Sequence, residues 1–213
     1  MFPQDLKDKF YEWKNDTFSI KKSHFEKLAK EGQFPKYMII SCVDSRVDPN
    51  SMFKTEAGDF FVHRNIANLV PPYDYLTEHS GTIAAIEFGV TALNIKNIVV
   101  MGHSGCGGIK NGYIACKENK FMENSSISNW LQLLKPAYMK LSEKSEKENI
   151  GELEKLSIVT SLENLSDYPF IKKELETQSI SLYGIWNDIG TGSLESYCHC
   201  LLYTSDAADD SLR

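Results

Sequence analysis

Three apolar runs of strand length limit the fold of this 213-residue chain more than any other feature. Tyr37–Val43, Phe60–Ile66 and Ile95–Met101 are dense in Ile, Val, Phe and Met, as strands buried on both faces of a parallel sheet are. Between the second and third, Thr82–Leu93 places Ile83, Ile86, Val90 and Leu93 on one helical stripe. Ile109, Tyr113 and Ile114 point to a helix from Gly107 onward, and Leu153, Leu156, Val159, Leu162 and Leu165 to another that stops near Asp167–Pro169. Ser179–Ile189 reads as a last strand running into a hairpin turn at Gly190-Thr191-Gly192. Strands alternating with helices predict an α/β class: a single domain, residues 35–199, with a mostly parallel central β-sheet flanked by helices. Residues 1–34 read as an N-terminal helical arm, with Phe10, Trp13, Phe18, Phe25 and Leu28 at helical spacing until Gly32 and Pro35 break the pattern. Such an arm has little partner surface of its own and is expected to pack on a neighbouring element or subunit.

Composition narrows the function classes. A net charge of −6 argues against general nucleic-acid binding, which wants a basic face. No apolar run approaches the ~20 residues that span a bilayer, and the first residues lack a basic-then-apolar leader pattern. Five unevenly spaced Cys do not form a disulfide framework, so a cytoplasmic location that keeps thiols reduced is expected. The mixed-charge stretch Lys140–Lys155 reads as a solvated helix or loop.

Two of the apolar runs end in metal-ligating residues. Cys42 and Asp44 follow the first run, and His103 and Cys106 follow the third. Two Cys and one His are ligands that zinc prefers, and such a set with an open fourth position is a catalytic arrangement. Asp44 either fills that position or stands beside it, which decides between a closed and a reactive site. Parallel strand ends lying side by side would bring the two segments together. The glycines around Cys106 allow close backbone approach, and Gly107 could offer an N–H to an anion at the start of a helix. A purely structural zinc site is the bland alternative. Arg46 follows Cys42 too closely for the anion-cradling loop of a cysteine nucleophile, and Gly102–Gly108 fits neither dinucleotide nor Walker spacing.

Cys42-x-Asp44-x-Arg46 followed by His103-x-x-Cys106-Gly107-Gly108 resembles the signature of the β-class carbonic anhydrases. The resemblance runs through Phe61–Asn68 and Gly81–Phe88, covers roughly residues 33 to 195, and is nearest the plant-type branch at Pro71-Pro72 and Ala85-Ile86-Glu87. It implies one Zn2+ per chain on Cys42, His103 and Cys106, with Asp44 as a ligand in a closed state only. The implied reaction is reversible hydration of CO2 to bicarbonate and a proton, by attack of zinc-bound hydroxide. Asp44 would orient the hydroxide, and Arg46 would hold Asp44 off the metal. Gln33 would donate to bicarbonate, Phe61, Ile66 and Phe88 would line an apolar CO2 pocket, and Gly107 would offer its N–H. Phe88 stands where plant-type members commonly have Tyr. Two thiolates should make the water harder to ionise than the value near ~7 of three-His carbonic anhydrases, favouring alkaline pH. A dimer or higher oligomer is implied, with Gln33, Phe61 and Phe88 facing a neighbour's zinc. A CS2 or COS hydrolase on the same site, or a non-catalytic zinc or bicarbonate-binding protein closed by Asp44, are the competing readings; Arg46 argues against the last.

Lesser candidates have plainer alternatives. His63 and His79 read as proton shuttles or as packed or solvent-facing structural histidines, Arg64 as a bicarbonate contact or a buried salt bridge, and Cys116 as a core thiol. Cys198-His199-Cys200 has no partner segment and is assigned no site. Residues 200–213 depart from the family's ending and back-translate readily to a sequencing adapter, so a non-native or disordered tail is expected there.

Overall fold

A computed structural model describes residues 2–73 and 80–198. Four strands lie parallel: β1 (Tyr37–Cys42), β2 (Phe60–Asn65), β3 (Asn97–His103) and β4 (Ser181–Asn187). A fifth, β5 (Leu194–Cys198), returns antiparallel along β4, and the sheet order is β2-β1-β3-β4-β5. The α/β domain with a mostly parallel sheet is therefore the observed fold. Two details differ from the sequence reading. Ile95 precedes β3 and is buried in the core at 1% exposure instead of pairing in the sheet. β5 was visible only as its turn, because Leu194-Glu195-Ser196 is exposed and carries no apolar run.

The helices are α1 (Gln4–Trp13), α2 (Lys22–Glu31), α3 (Pro49–Met52), α4 (Ser80–Glu87), α5 (Gly107–Lys117), α6 (Ser126–Leu131), α7 (Lys135–Tyr138), α8 (Glu146–Ser166) and α9 (Pro169–Glu176). Helix α4 runs on through a wider turn at Phe88–Ala92 and buries Ile83, Ile86 and Val90 with Met38, Ile40, Ile98 and Val100 of the sheet. Helix α8 adds Ile158, Leu162 and Leu165 to that core. It starts inside the mixed-charge stretch, where a capping box of Ser145 and Glu148 satisfies its first N–H groups. Its buried stripe is Leu153, Ser157, Ile158, Ser161, Leu162 and Leu165; Leu156 and Val159 are only half-buried. The helix comes this near to β3 because Gly102 has no Cβ: one placed there would meet Ile158 Cδ1 at 2.7 Å.

Strand order fixes where a site can form. From β1 the chain passes to β2 on one side, then returns to β3 on the other, so the loops after β1 and β3 diverge from adjacent strand ends. Ser41 pairs with Met101, which sets Cys42 and His103 at that divergence.

The arm gathers Phe10, Trp13, Phe18 and Phe25 into one aromatic cluster. Lys21 pairs with Glu56 at 2.6 Å, and His24 Nε2 lies 2.8 Å from the Ala57 carbonyl, tying the arm to the domain. Phe2, Leu6, Phe10, Tyr11 and Trp13 are nevertheless exposed. No helix of the described residues is long and apolar enough to cross a membrane.

Candidate metal centre

Cys42 ends β1, His103 ends β3, and Cys106 stands one turn later as the residue that leads into α5. All three are buried. Their ligand atoms lie within 4.8 Å of one another, and the two Sγ atoms are 3.9 Å apart. The Nδ1–H of His103 donates to the Ser104 carbonyl at 3.0 Å, which fixes the ring. His103 Nε2 is then buried with no hydrogen-bond partner among the described residues.

The environment favours thiolate at this point. The Cys42 thiol is pulled down to about 4, first by the hydrogen bond from Cys106 and further by the backbone N–H groups of Asp44 and Ala67. Cys106 is pushed up because it donates to Cys42 and because it is buried. A metal ion bound here would displace the thiol hydrogens that link these two sulfurs. The turn that carries the Ala67 N–H holds Ala67 (φ 62) and Asn68 (φ 49) in left-handed backbone, both buried. Asn65 braces this turn by accepting from Leu69 N at 2.9 Å and donating to the Leu69 carbonyl at 2.8 Å. The start of α5 presses against the same turn: a Cβ on Gly108 would meet Ile66 Cγ2 at 2.8 Å and Ala67 Cβ at 3.1 Å, whereas one on Gly107 meets nothing. Gly108→Ala is expected to cost about 1–3 kcal/mol in denaturant unfolding, as overpacking does. Gly107→Ala should stay within about 0.5 kcal/mol of wild type, as an unobstructed surface change does.

Asp44 is turned towards Arg46. Its Oδ1 accepts from Arg46 N (3.0 Å) and Nε (2.9 Å), and its Oδ2 from Nη2 (2.7 Å), a bidentate fork that also donates to the Gly105 carbonyl at 3.0 Å. These bonds hold the Asp44 carboxyl well below the usual range. Asp44 Oδ2 remains 4.0 Å from His103 Nε2, at the edge of the cluster. Arg64 lies behind the loop, and its partners are backbone carbonyls rather than the carboxylate of a salt bridge: Cys42 (2.9 Å), Asp44 (2.8 Å) and Val47 (2.6 Å). It braces the segment that carries Cys42 and Asp44.

The residues fit a zinc ion. Two sulfurs bound tetrahedrally at ~2.3 Å would stand ~3.8 Å apart, close to the separation of these two. The unpartnered Nε2 would supply the third ligand, and the two buried thiols, once deprotonated, would supply two negative charges.

A family model described as carbonic anhydrase matches residues 37–194. Beta carbonic anhydrase 3 of Arabidopsis thaliana is 35% identical over 195 residues, which cover 89% of this chain and 74% of that protein. The chain belongs to the β-class carbonic anhydrases, a family of enzymes. Among solved structures, the β-carbonic anhydrase CcaA is 32% identical with a TM-score of 0.83, over 91% of this chain and 86% of that one. A structure from work on two tetrameric β-carbonic anhydrases of the ascomycete Sordaria macrospora is 28% identical, with a TM-score of 0.76 over 91% and 95% of the two chains.

Within this β-carbonic anhydrase, the remaining expected site residues separate into two groups. Gly107 directly follows Cys106, and Ile66 packs against Gly108 and lines a groove of about 480 Å3 with His63, Thr82, Ile127 and Trp130. Gln33, Phe61 and Phe88 are not brought to the cluster. Gln33 is exposed beyond the far end of β1, and Phe61 pairs with Met38, some ~13 Å along the sheet from Cys42 at ~3.3 Å per residue. Phe88 is half exposed and stacks on Phe61 with ring centroids 6.0 Å apart. His63 Nε2 bonds Thr82 Oγ1 at 3.0 Å, and burial pushes its pKa down. Cys116 is half-buried rather than a core thiol. His79, His199, Cys200 and the tail lie outside the described residues.

Sequence reasoning missed Glu154. It is 4% exposed, and its Oε1 accepts from Cys106 N at 3.1 Å while Oε2 accepts from Trp186 Nε1 at 3.2 Å. The signal was its place on the stripe of Ile158, Ser161 and Leu165, hidden by the charged residues on either side.

Proposed function

We propose that this β-carbonic anhydrase interconverts CO2 and bicarbonate at a zinc ion held by Cys42, His103 and Cys106. The observation that carries the reading is the unpartnered His103 Nε2 buried against two thiols 3.9 Å apart. Zinc bound there would supply Lewis acidity, lowering the pKa of a water and polarising substrate oxygen. The chain's own residues do the rest. Asp44, kept ionised by Arg46, presents an acceptor at the edge of the cluster and orients the donor beside it. Arg46 restrains that carboxylate with a two-point fork that a lysine could not reproduce. Gly107, at the start of α5, adds a backbone N–H for the developing anion. Both sulfurs must stay reduced, which favours a cytoplasmic or otherwise reducing location.

A second copy of the chain completes the site in this reading. Gln33, Phe61 and Phe88 lie away from their own cluster, the arm exposes aromatic side chains, and the Sordaria macrospora proteins are tetrameric. Stopped-flow CO2 hydration on the zinc-loaded protein, with light scattering on the same sample, tests both parts. The expected result is an oligomer whose rate rises across pH ~6.5 to ~9, disappears on chelation and returns with zinc. A zinc-loaded preparation without activity would contradict the reaction, and an active monomer would contradict the shared site.

A further inference from the structure

We propose that Glu154 is a positioning residue for the metal centre: its buried carboxylate grips the Gly105–Cys106 turn and so aims the Cys106 thiol at Cys42 and His103. The inference rests on the zinc reading and adds a residue that lies on none of the ligand-bearing segments.

Burying a carboxylate is costly, and such groups persist where they are fully satisfied. Glu154 makes no ion pair among the described residues. The neighbouring Lys155 is turned away, to Glu195 at 2.6 Å and over the Trp186 ring at 4.5 Å. What satisfies Glu154 is a pair of N–H donors, one on each oxygen: Cys106 N at 3.1 Å and the Trp186 indole at 3.2 Å. Every partner donates, so the site is built for two acceptor oxygens. An amide in the same place would set an NH2 group against an N–H.

Helix α8 is an apt carrier for this grip. Ile158, one turn beyond Glu154, is seated over Gly102, the residue before His103. The helix therefore rests on the strand end that presents one ligand and hydrogen-bonds the turn that presents another. Cys106 otherwise stands on a short turn containing Gly105 at φ 65. The carboxylate removes freedom that would let the two sulfurs drift apart.

The test is zinc affinity, by competition with a chromophoric chelator, on wild type and on Glu154→Gln, together with the melting temperature of the metal-free proteins. Glu154→Gln is expected to weaken zinc binding about 10- to 100-fold, as loss of a group supporting a ligand does. The cobalt-substituted protein should show a matching decrease in thiolate-to-metal absorption. Trp186→Phe, which frees one carboxylate oxygen but leaves Cys106 held, should fall between the two and serves if Glu154→Gln does not fold. Glu163→Gln, an exposed carboxylate on the same helix paired with Lys140, should bind as wild type does. If Glu154→Gln, or Trp186→Phe in its stead, matches wild-type affinity within about twofold, the proposal is overturned, even where the melting temperature falls. A wild-type protein that takes up no zinc would instead overturn the metal reading, and this one with it.

Discussion

Cys106→Ala is expected to abolish both zinc retention and CO2 hydration while leaving the metal-free fold in place. Cys106 is 2% exposed and carries one of the two sulfurs of the cluster, so its loss would leave Cys42 and His103 to hold the ion. Removing a supporting partner of a ligand costs about 10- to 100-fold in affinity, and removing the ligand itself should exceed the upper end of that range. The substitution takes away one sulfur atom at a helix start and adds no bulk, so unfolding is not the expected route to inactivity. Thermal melts separate the two causes. With zinc at 100 times its dissociation constant, a wild-type protein gains ~2.7 kcal/mol that a protein unable to bind does not. Wild type should therefore melt higher with zinc than without it, and Cys106→Ala should melt alike in both. A variant that keeps one zinc per chain after dialysis would contradict the assignment of Cys106.

The second large effect is expected at Asp44. Asp44→Asn keeps the shape of the side chain but replaces one acceptor oxygen with a donor, facing the Arg46 guanidinium or the cluster. Loss of a positioned acid–base or orienting group costs about 100- to 10,000-fold in rate, so kcat/KM should fall by that order with zinc content unchanged. Arg46→Ala should also lower the rate with zinc retained, for a different reason. Without the fork, Asp44 is free to close on a cluster whose His103 Nε2 is already 4.0 Å from its Oδ2. Retained zinc with lost activity in both variants, measured by metal analysis and stopped-flow kinetics on the same samples, is the expected pattern. Wild-type rates in Asp44→Asn would remove Asp44 from the mechanism.

The sheet and the cluster were legible in the sequence because their signals are local. Strands buried on both faces announce themselves as apolar runs, and Cys42, Asp44, His103 and Cys106 sit at the ends of two of them. The parts that were not legible depend on distant partners. β5 forms because its backbone pairs with β4, and Ser196 opposite Ile185 carries no pattern that would reveal it. Arg64 could be read as an ion-pair residue because charge suggests a carboxylate, yet three carbonyls of the Cys42–Val47 loop surround it. Glu154 was lost among Glu152 and Lys155, which are part-exposed and ion-paired, although it is itself buried. Phe61 was expected at the pocket from the family pattern, but the register of β2 on β1 sets it opposite Met38 and away from Cys42, with Phe88 against it, and no local motif encodes that register.

X-ray absorption at the zinc edge of the protein as purified tests the central claim most directly. Two sulfur scatterers at ~2.3 Å with one or two nitrogen or oxygen scatterers at ~2.0–2.1 Å are expected from Cys42, Cys106 and His103. A shell of light atoms alone, or four sulfurs, would place the metal somewhere other than this cluster.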